Sequence, residues 1–107
     1  MYACPSLYEG FGFTILEAMA CGVPVVCSAE TSLPEVAGDA AVYADPRNPE
    51  EFAAALQRAF SDAQLCDQLI EKGFRNRQRF DWKSAASRTL VVYQHAAGLG
   101  VEKAVCA

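Results

Sequence analysis

A chain of 107 residues, 52% apolar and 21% charged, is long enough for one domain with a core and too short for two, and its composition is neither disordered nor fibrous. Its net charge of −4 argues against a nucleic-acid binder, which presents a basic face. No apolar run approaches the roughly 18 residues of a membrane span, and no basic start precedes an apolar stretch as in a signal peptide.

The chain opens on a short apolar segment, Tyr2-Ala3-Cys4, stopped by Pro5-Ser6. A loop holding Gly10 and Gly12 leads into an apolar helical stretch from Phe13 to Cys21, closed by Gly22, glycine being the usual residue just past a helix end. Pro24-Val25-Val26-Cys27 reads as a buried strand, apolar on both faces. Ser32-Leu33-Pro34-Glu35 has the form of a capping box opening one helical turn, which Gly38 ends. Ala40 to Ala44 is another short strand, ended by Asp45-Pro46.

Asn48-Pro49-Glu50-Glu51 then starts a helix whose Phe52, Leu56 and Phe60 share a face. A second helix begins near Ser61, with Gln64 completing a box, and carries Leu65, Leu69 and Phe74; a third follows Asp81, with Trp82, Ala86, Leu90 and Tyr93 at helical spacing. Of these, Phe52, Leu56, Phe60, Leu65, Leu69, Trp82 and Tyr93 are expected to be core. Strands alternating with helices predict a parallel α/β fold, and about three short strands are too few for a complete doubly wound sheet. The expectation is a partial domain over 1–97 and a tail over 98–107.

The stretch from Pro5 to Val26 carries the chemistry. Ligands of open α/β sheets bind at the carboxyl ends of strands. There the free amides of a helix's first turn, near Phe13, Thr14 and Ile15, form an anion site reinforced by the helix dipole. Gly10 and Gly12 let backbone approach a phosphate closely, and the Thr14 hydroxyl adds a hydrogen bond. Glu9 lies on the loop before this site. Glu17 lies one turn into the helix and leans back toward its N-terminus, so both acids should flank one mouth. Carboxylates repel phosphate but accept from adjacent sugar hydroxyls, as on ribose in dinucleotide sites, which points to a nucleotide sugar. On spacing alone, a tight turn before a helix and two surface carboxylates explain the same residues.

The same stretch closely resembles the signature of family 4 retaining glycosyltransferases, enzymes of the two-domain GT-B fold. Glu9 and Glu17 match its Glu-x7-Glu motif within the frame Pro5-Ser6…Glu9-Gly10-Phe11-Gly12…Glu17-Ala18-Met19-Ala20-Cys21-Gly22-Val23-Pro24-Val25-Val26. The likeness continues through Ser32-Leu33-Pro34-Glu35-Val36, Gly38-Asp39-Ala40-Ala41 and Asp45-Pro46, and reaches Phe80-Asp81-Trp82 before a last helix ending near Tyr93. The resemblance implies the later part of a Rossmann-like donor-binding domain. It implies transfer of a sugar from a nucleoside-diphosphate donor with retention of configuration and without a catalytic metal or other cofactor.

Carried over by position, the resemblance makes Glu9 the catalytic residue and a contact of donor-sugar hydroxyls. The main chain from Gly10 through Phe11 and Gly12 to Phe13 lies along sugar and diphosphate, Thr14 and Ile15 offer amides to phosphate, and Glu17 holds the ribose. The family's basic pair for the diphosphate and its acceptor-binding domain are expected outside this sequence. The isolated chain is therefore expected to lack transferase activity and, with a sheet edge and apolar surface bared, to be poorly stable or to aggregate. Partners are a nucleotide sugar and an acceptor sugar, lipid or small molecule, with no nucleic acid.

The five cysteines, Cys4, Cys21, Cys27, Cys66 and Cys106, show no Cys-x-x-Cys spacing, which argues for reduced thiols and a cytoplasmic compartment. Cys4, Cys21 and Cys27 read as small buried hydrophobes and Cys106 as a tail thiol. Lys72, Arg75, Arg77, Arg79 and Lys83 form a basic cluster that is either a solvated helix face or a peripheral membrane contact; flanking Glu71 and Asp81 favour the first. His95 suits a helix C-terminus, and Tyr8 and Phe11 are either packing or ligand walls. Two rivals stand beside the transferase: another GT-B enzyme, such as a sugar-nucleotide epimerase or a phosphorylase, and a non-catalytic nucleotide-sugar-binding or interaction module.

Overall fold

A computed structural model describes residues 1–98; the tail expected at 98–107, beyond its first residue, and Cys106 lie outside the described residues. The elements run β1 (Tyr2–Cys4), α1 (Phe13–Ala20), β2 (Val25–Cys27), α2 (Leu33–Ala37), β3 (Ala41–Tyr43), α3 (Pro49–Ser61), α4 (Ala63–Arg77) and α5 (Trp82–Ala96). The strands form one parallel sheet in the order β1-β2-β3, Cys4 opposite Cys27 and Cys27 opposite Tyr43. The expected alternation and its three short strands are present.

The central strand is wholly buried because both of its faces are covered. On one face Val25 and Cys27 pack with Cys4, Ile15, Met19, Leu33 and Ala37, so α1 and α2 cover it. On the other, Val26 packs with Ala44, Phe52 and Ala59 of the α3 side. Helix α4 backs α1 closely: a Cβ on Gly73 would stand 3.1 Å from Met19 Cγ. Buried Asn76 locks the same layer, donating through Nδ2 to the Val36 carbonyl at 2.8 Å while its Oδ1 accepts from Arg79 at 2.9 Å.

Capping follows the sequence in part. Asn48 Oδ1 accepts from the Glu51 amide at 3.1 Å and Asp81 Oδ1 from the Ser84 amide at 3.0 Å, each satisfying an orphan donor of its helix. Hydrogen bonding from the Ser84 hydroxyl, and then from its amide, holds the Asp81 carboxyl below its ordinary range. The second long helix is capped by Asp62, accepting from Leu65 at 2.9 Å, and not by Ser61, which α3 absorbs as its last residue. The capping box at Ser32 does not form: Ser32 has helical backbone angles and makes no side-chain cap bond. Its hydroxyl is committed elsewhere, as the site below shows.

Helical periodicity overstated the core. Phe52 and Leu69 are buried, but Phe60 is 82% exposed, because Ala59 and not Phe60 points at the sheet. No residue of α5 is buried, and Trp82, Leu90 and Tyr93 stand open at 78%, 54% and 68%. Periodicity establishes that a helix face is apolar, not that something covers it. His95 is exposed in the last turn of α5.

Cys4 and Cys27 are buried as expected, whereas Cys21 is exposed, since α1 stops one residue earlier and leaves it in the turn before Gly22. Burial, reinforced by the neighbouring Cys4, pushes the Cys27 thiol up to about 12. Burial likewise takes Tyr43 to about 12, with Cys27 and Asp39 adding to the effect. The thiolate is the reactive form. A disulfide-exchange reagent at pH 8 is therefore expected to label Cys21 quickly and Cys4 and Cys27 only on unfolding.

The same shifts set an alkaline limit. The Cys27 thiol and Tyr43 hydroxyl are neutral in the fold and ionise earlier when unfolded, near 9.0 and 10.0. Their stabilisation is complete below pH 9, shrinks above it and is gone near pH 12. Urea melts between pH 8 and 11 should show stability falling, and Cys27→Ala should flatten that slope.

Candidate functional site

The turn between β1 and α1 is built around Gly12. It sits buried at φ +109°, where a Cβ would meet Leu33 Cδ2 at 3.0 Å. Glycine is thus required there by the left-handed backbone and by the packing of α2 under the turn. Gly10 differs: nothing lies within 4 Å of where its Cβ would be, and its flank is open to the cavity. Of the two glycines expected to admit a ligand, Gly10 offers access while Gly12 serves the core.

A cavity of about 570 Å³ opens at the carboxyl end of β1, lined by residues 2–6 and 9–14. Half-buried Glu9 faces it, one carboxylate oxygen accepting from the Ser6 hydroxyl at 2.8 Å. At the helix start, the amides of Phe13 and Thr14 have no acceptor among the described residues, whereas the Ile15 amide donates to the Gly12 carbonyl at 3.1 Å. Ile15 itself is fully buried, so its expected phosphate contact gives way to core packing and a tight first turn. Thr14 accepts from the Tyr2 hydroxyl at 2.8 Å, which leaves its own proton for a ligand.

Glu17 does not share this cavity. It stands exposed on α1 in an adjoining cavity of about 530 Å³, between α1 and the junction of α4 with α5, with Arg77, Arg79, Trp82 and Arg88. The two acids therefore flank two neighbouring hollows and not one mouth, and Phe11 and Phe13 line both. These rings form a packed ridge: Phe11 to Phe13 at 4.6 Å, Phe11 edge-on to Phe80 at 5.7 Å, and Phe13 stacked on Trp82 at 5.8 Å between centroids. Phe11 is thus a cavity wall, while Tyr8 is 79% exposed and lines neither hollow.

The loop carrying Glu9 is held from the β2–α2 connection. Thr31 Oγ1 accepts from the Glu9 amide at 3.0 Å and lies 3.1 Å from the Glu9 carbonyl, and Ser32 Oγ reaches the carbonyls of Glu9 at 2.9 Å and Phe11 at 2.8 Å. Buried Ser28 donates to the Ser6 carbonyl. None of Tyr2, Ser28, Thr31 or this use of Ser32 was legible in the sequence, because hydroxyl bonds across 12 to 23 residues leave no local spacing signal.

The basic cluster is partly spent on structure. Lys72 pairs with Asp39 at 3.2 Å, Arg75 with Glu71 at 3.3 Å, and Arg79 lies 5.2 Å from the Phe80 ring centre. No helix among the described residues is long and apolar enough to cross a membrane.

Comparison with known proteins gives a consistent picture. The family pattern described as glycosyl transferases group 1 matches residues 1–76. O-antigen chain mannosyltransferase B of Escherichia coli is 42% identical over 93 residues, covering 87% of this chain and 24% of that protein. The MMP alpha-(1->4)-mannosyltransferase of Mycolicibacterium hassiacum is 39% identical over 99 residues, covering 88% and 24%. Among solved structures, sucrose-phosphate synthase from Thermosynechococcus elongatus superposes with a TM-score of 0.79 at 30% identity, over 90% of this chain and 25% of that one. The chain spans about a quarter of the length of these relatives. The Rossmann-like α/β arrangement matches a GT-B domain, and the chain belongs to the glycosyl transferases group 1 family.

Proposed function

We propose that this chain is part of the donor-binding domain of a glycosyltransferase that moves a sugar from a nucleoside-diphosphate donor to an acceptor with retention of configuration. One observation carries the reading: a carboxylate, Glu9, and the unengaged amides of Phe13 and Thr14 converge on one cavity at the carboxyl end of a parallel strand. A nucleotide sugar is long and suits two hollows meeting at a helix start. Its sugar lies by Glu9 and Gly10, its diphosphate crosses the N-terminus of α1 at Phe13 and Thr14, and its ribose reaches Glu17 beyond the aromatic ridge. Gly12 and Ile15 support this path from below through the core. The helix amides stabilise charge building on the leaving diphosphate, and Glu9 stabilises positive charge building on the sugar.

Among the described residues no side chain lining the first cavity is basic, Arg77, Arg79 and Arg88 lining only the second, so within the first cavity the diphosphate's charge is met by amides alone. The chain alone is accordingly expected to be inactive, and the complete enzyme to act in the cytoplasm on a sugar, lipid or small-molecule acceptor. The test is a donor screen: the complete transferase carrying this segment is incubated with uridine, guanosine and adenosine diphosphate sugars, and the product anomer is read by NMR. Transfer with the donor's anomeric configuration is expected. Inversion, or hydrolysis and transfer with none of the donors, overturns the proposal.

A further inference from the structure

We infer that Thr31 is a positioning residue, kept at an unfavourable backbone angle so that its hydroxyl can fix the peptide of Glu9; this rests on the reading of Glu9 proposed above. Thr31 has φ +49°, the only non-glycine residue with positive φ among the described residues. A β-branched side chain is strongly disfavoured there, and glycine or asparagine would hold the same turn without strain. Such strain persists where the surroundings impose it and where the side chain does something another cannot.

What the side chain does is specific. Its oxygen accepts from the Glu9 amide at 3.0 Å and its proton can go to the Glu9 carbonyl at 3.1 Å, so one hydroxyl closes on both polar groups of that residue's backbone. Ser32 adds a second grip at the Glu9 and Phe11 carbonyls. On the cavity side, Ser6 orients the carboxylate itself. The segment bearing Thr31 is anchored in turn, since Glu30 accepts from Arg47 at 2.6 Å. The clamp thus connects the β2–α2 turn to the angle at which Glu9 enters the cavity. Thr31 is exposed, so core packing gives no reason for a β-branched residue there.

The experiment compares Thr31→Gly, Thr31→Ser and Glu9→Gln in the complete transferase, with donor kinetics and melting temperature for each. Thr31→Gly relieves the strain and removes the hydroxyl. It should lower kcat about ten-fold with little change in donor KM, while the melting temperature holds or rises. Thr31→Ser keeps the hydroxyl and should recover most of the rate. If Thr31→Gly retains kcat within about two-fold while Glu9→Gln is crippled, the clamp is refuted and the site reading stands. Parallel loss of rate and melting temperature in Thr31→Gly assigns it a structural role and also refutes the clamp. Undiminished transfer by Glu9→Gln removes both.

Discussion

Replacing Glu9 with Gln in the complete transferase is expected to lower kcat and kcat/KM together by about 100-fold or more, the scale of losing one preorganised electrostatic group. The substitution keeps side-chain volume and an oxygen that can still accept from Ser6 Oγ, now at 2.8 Å. It removes only the charge. Glycosyl transfer passes through a transition state with positive charge on the sugar ring. A carboxylate facing that ring is worth more in the transition state than in the bound donor, and its loss falls on kcat. Glu17 gives the contrast. Placed in the second cavity, apart from Glu9, it should on the proposed donor path affect binding: Glu17→Gln is expected to raise donor KM by about ten-fold and leave kcat nearly unchanged. Steady-state kinetics with varied donor measures both. Equal effects on kcat would mean that the acids do not divide the donor between them.

The placement of the two acids in separate cavities was only half visible in the sequence. Glu9, the glycine turn and the helix start are neighbours in the chain, so their convergence on one cavity follows from local geometry. Whether Glu17 looks into the same hollow depends on the rings of Phe11 and Phe13, whose positions are set by Phe80 and Trp82 some seventy residues later. No helical-wheel argument contains that wall. The same limit governs Ser32. Its capping-box sequence is complete, yet the bonds it makes are to carbonyls of the β1–α1 loop, because α2 packs against the underside of the Gly12 turn. Strands and capped helices were legible because their signals are short-range, as at Asn48 and Asp81. The apolar stripe of α5 was legible as a stripe, and its exposure was not.

Gly12→Val is the substitution expected to cost the most stability. The native φ of +109° lies where an L-residue is disfavoured by roughly 1–2 kcal/mol, and a β-branched one by more. The new Cβ would stand 3.0 Å from Leu33 Cδ2, a side chain with no exposed surface and hence little room to yield. Overpacking a filled core adds about 1–3 kcal/mol. Together they predict a loss of about 3–5 kcal/mol, a large share of a small domain's stability, read as a lower urea midpoint at unchanged slope. Gly10→Ala provides the opposite case. With nothing within 4 Å of the added methyl and no positive φ, it should leave the urea midpoint nearly unchanged. If the methyl projects into the donor path, it should weaken nucleotide-sugar binding while stability holds. One glycine is then present for the fold and the other for the ligand, and the pair of midpoints separates the two roles within a three-residue turn.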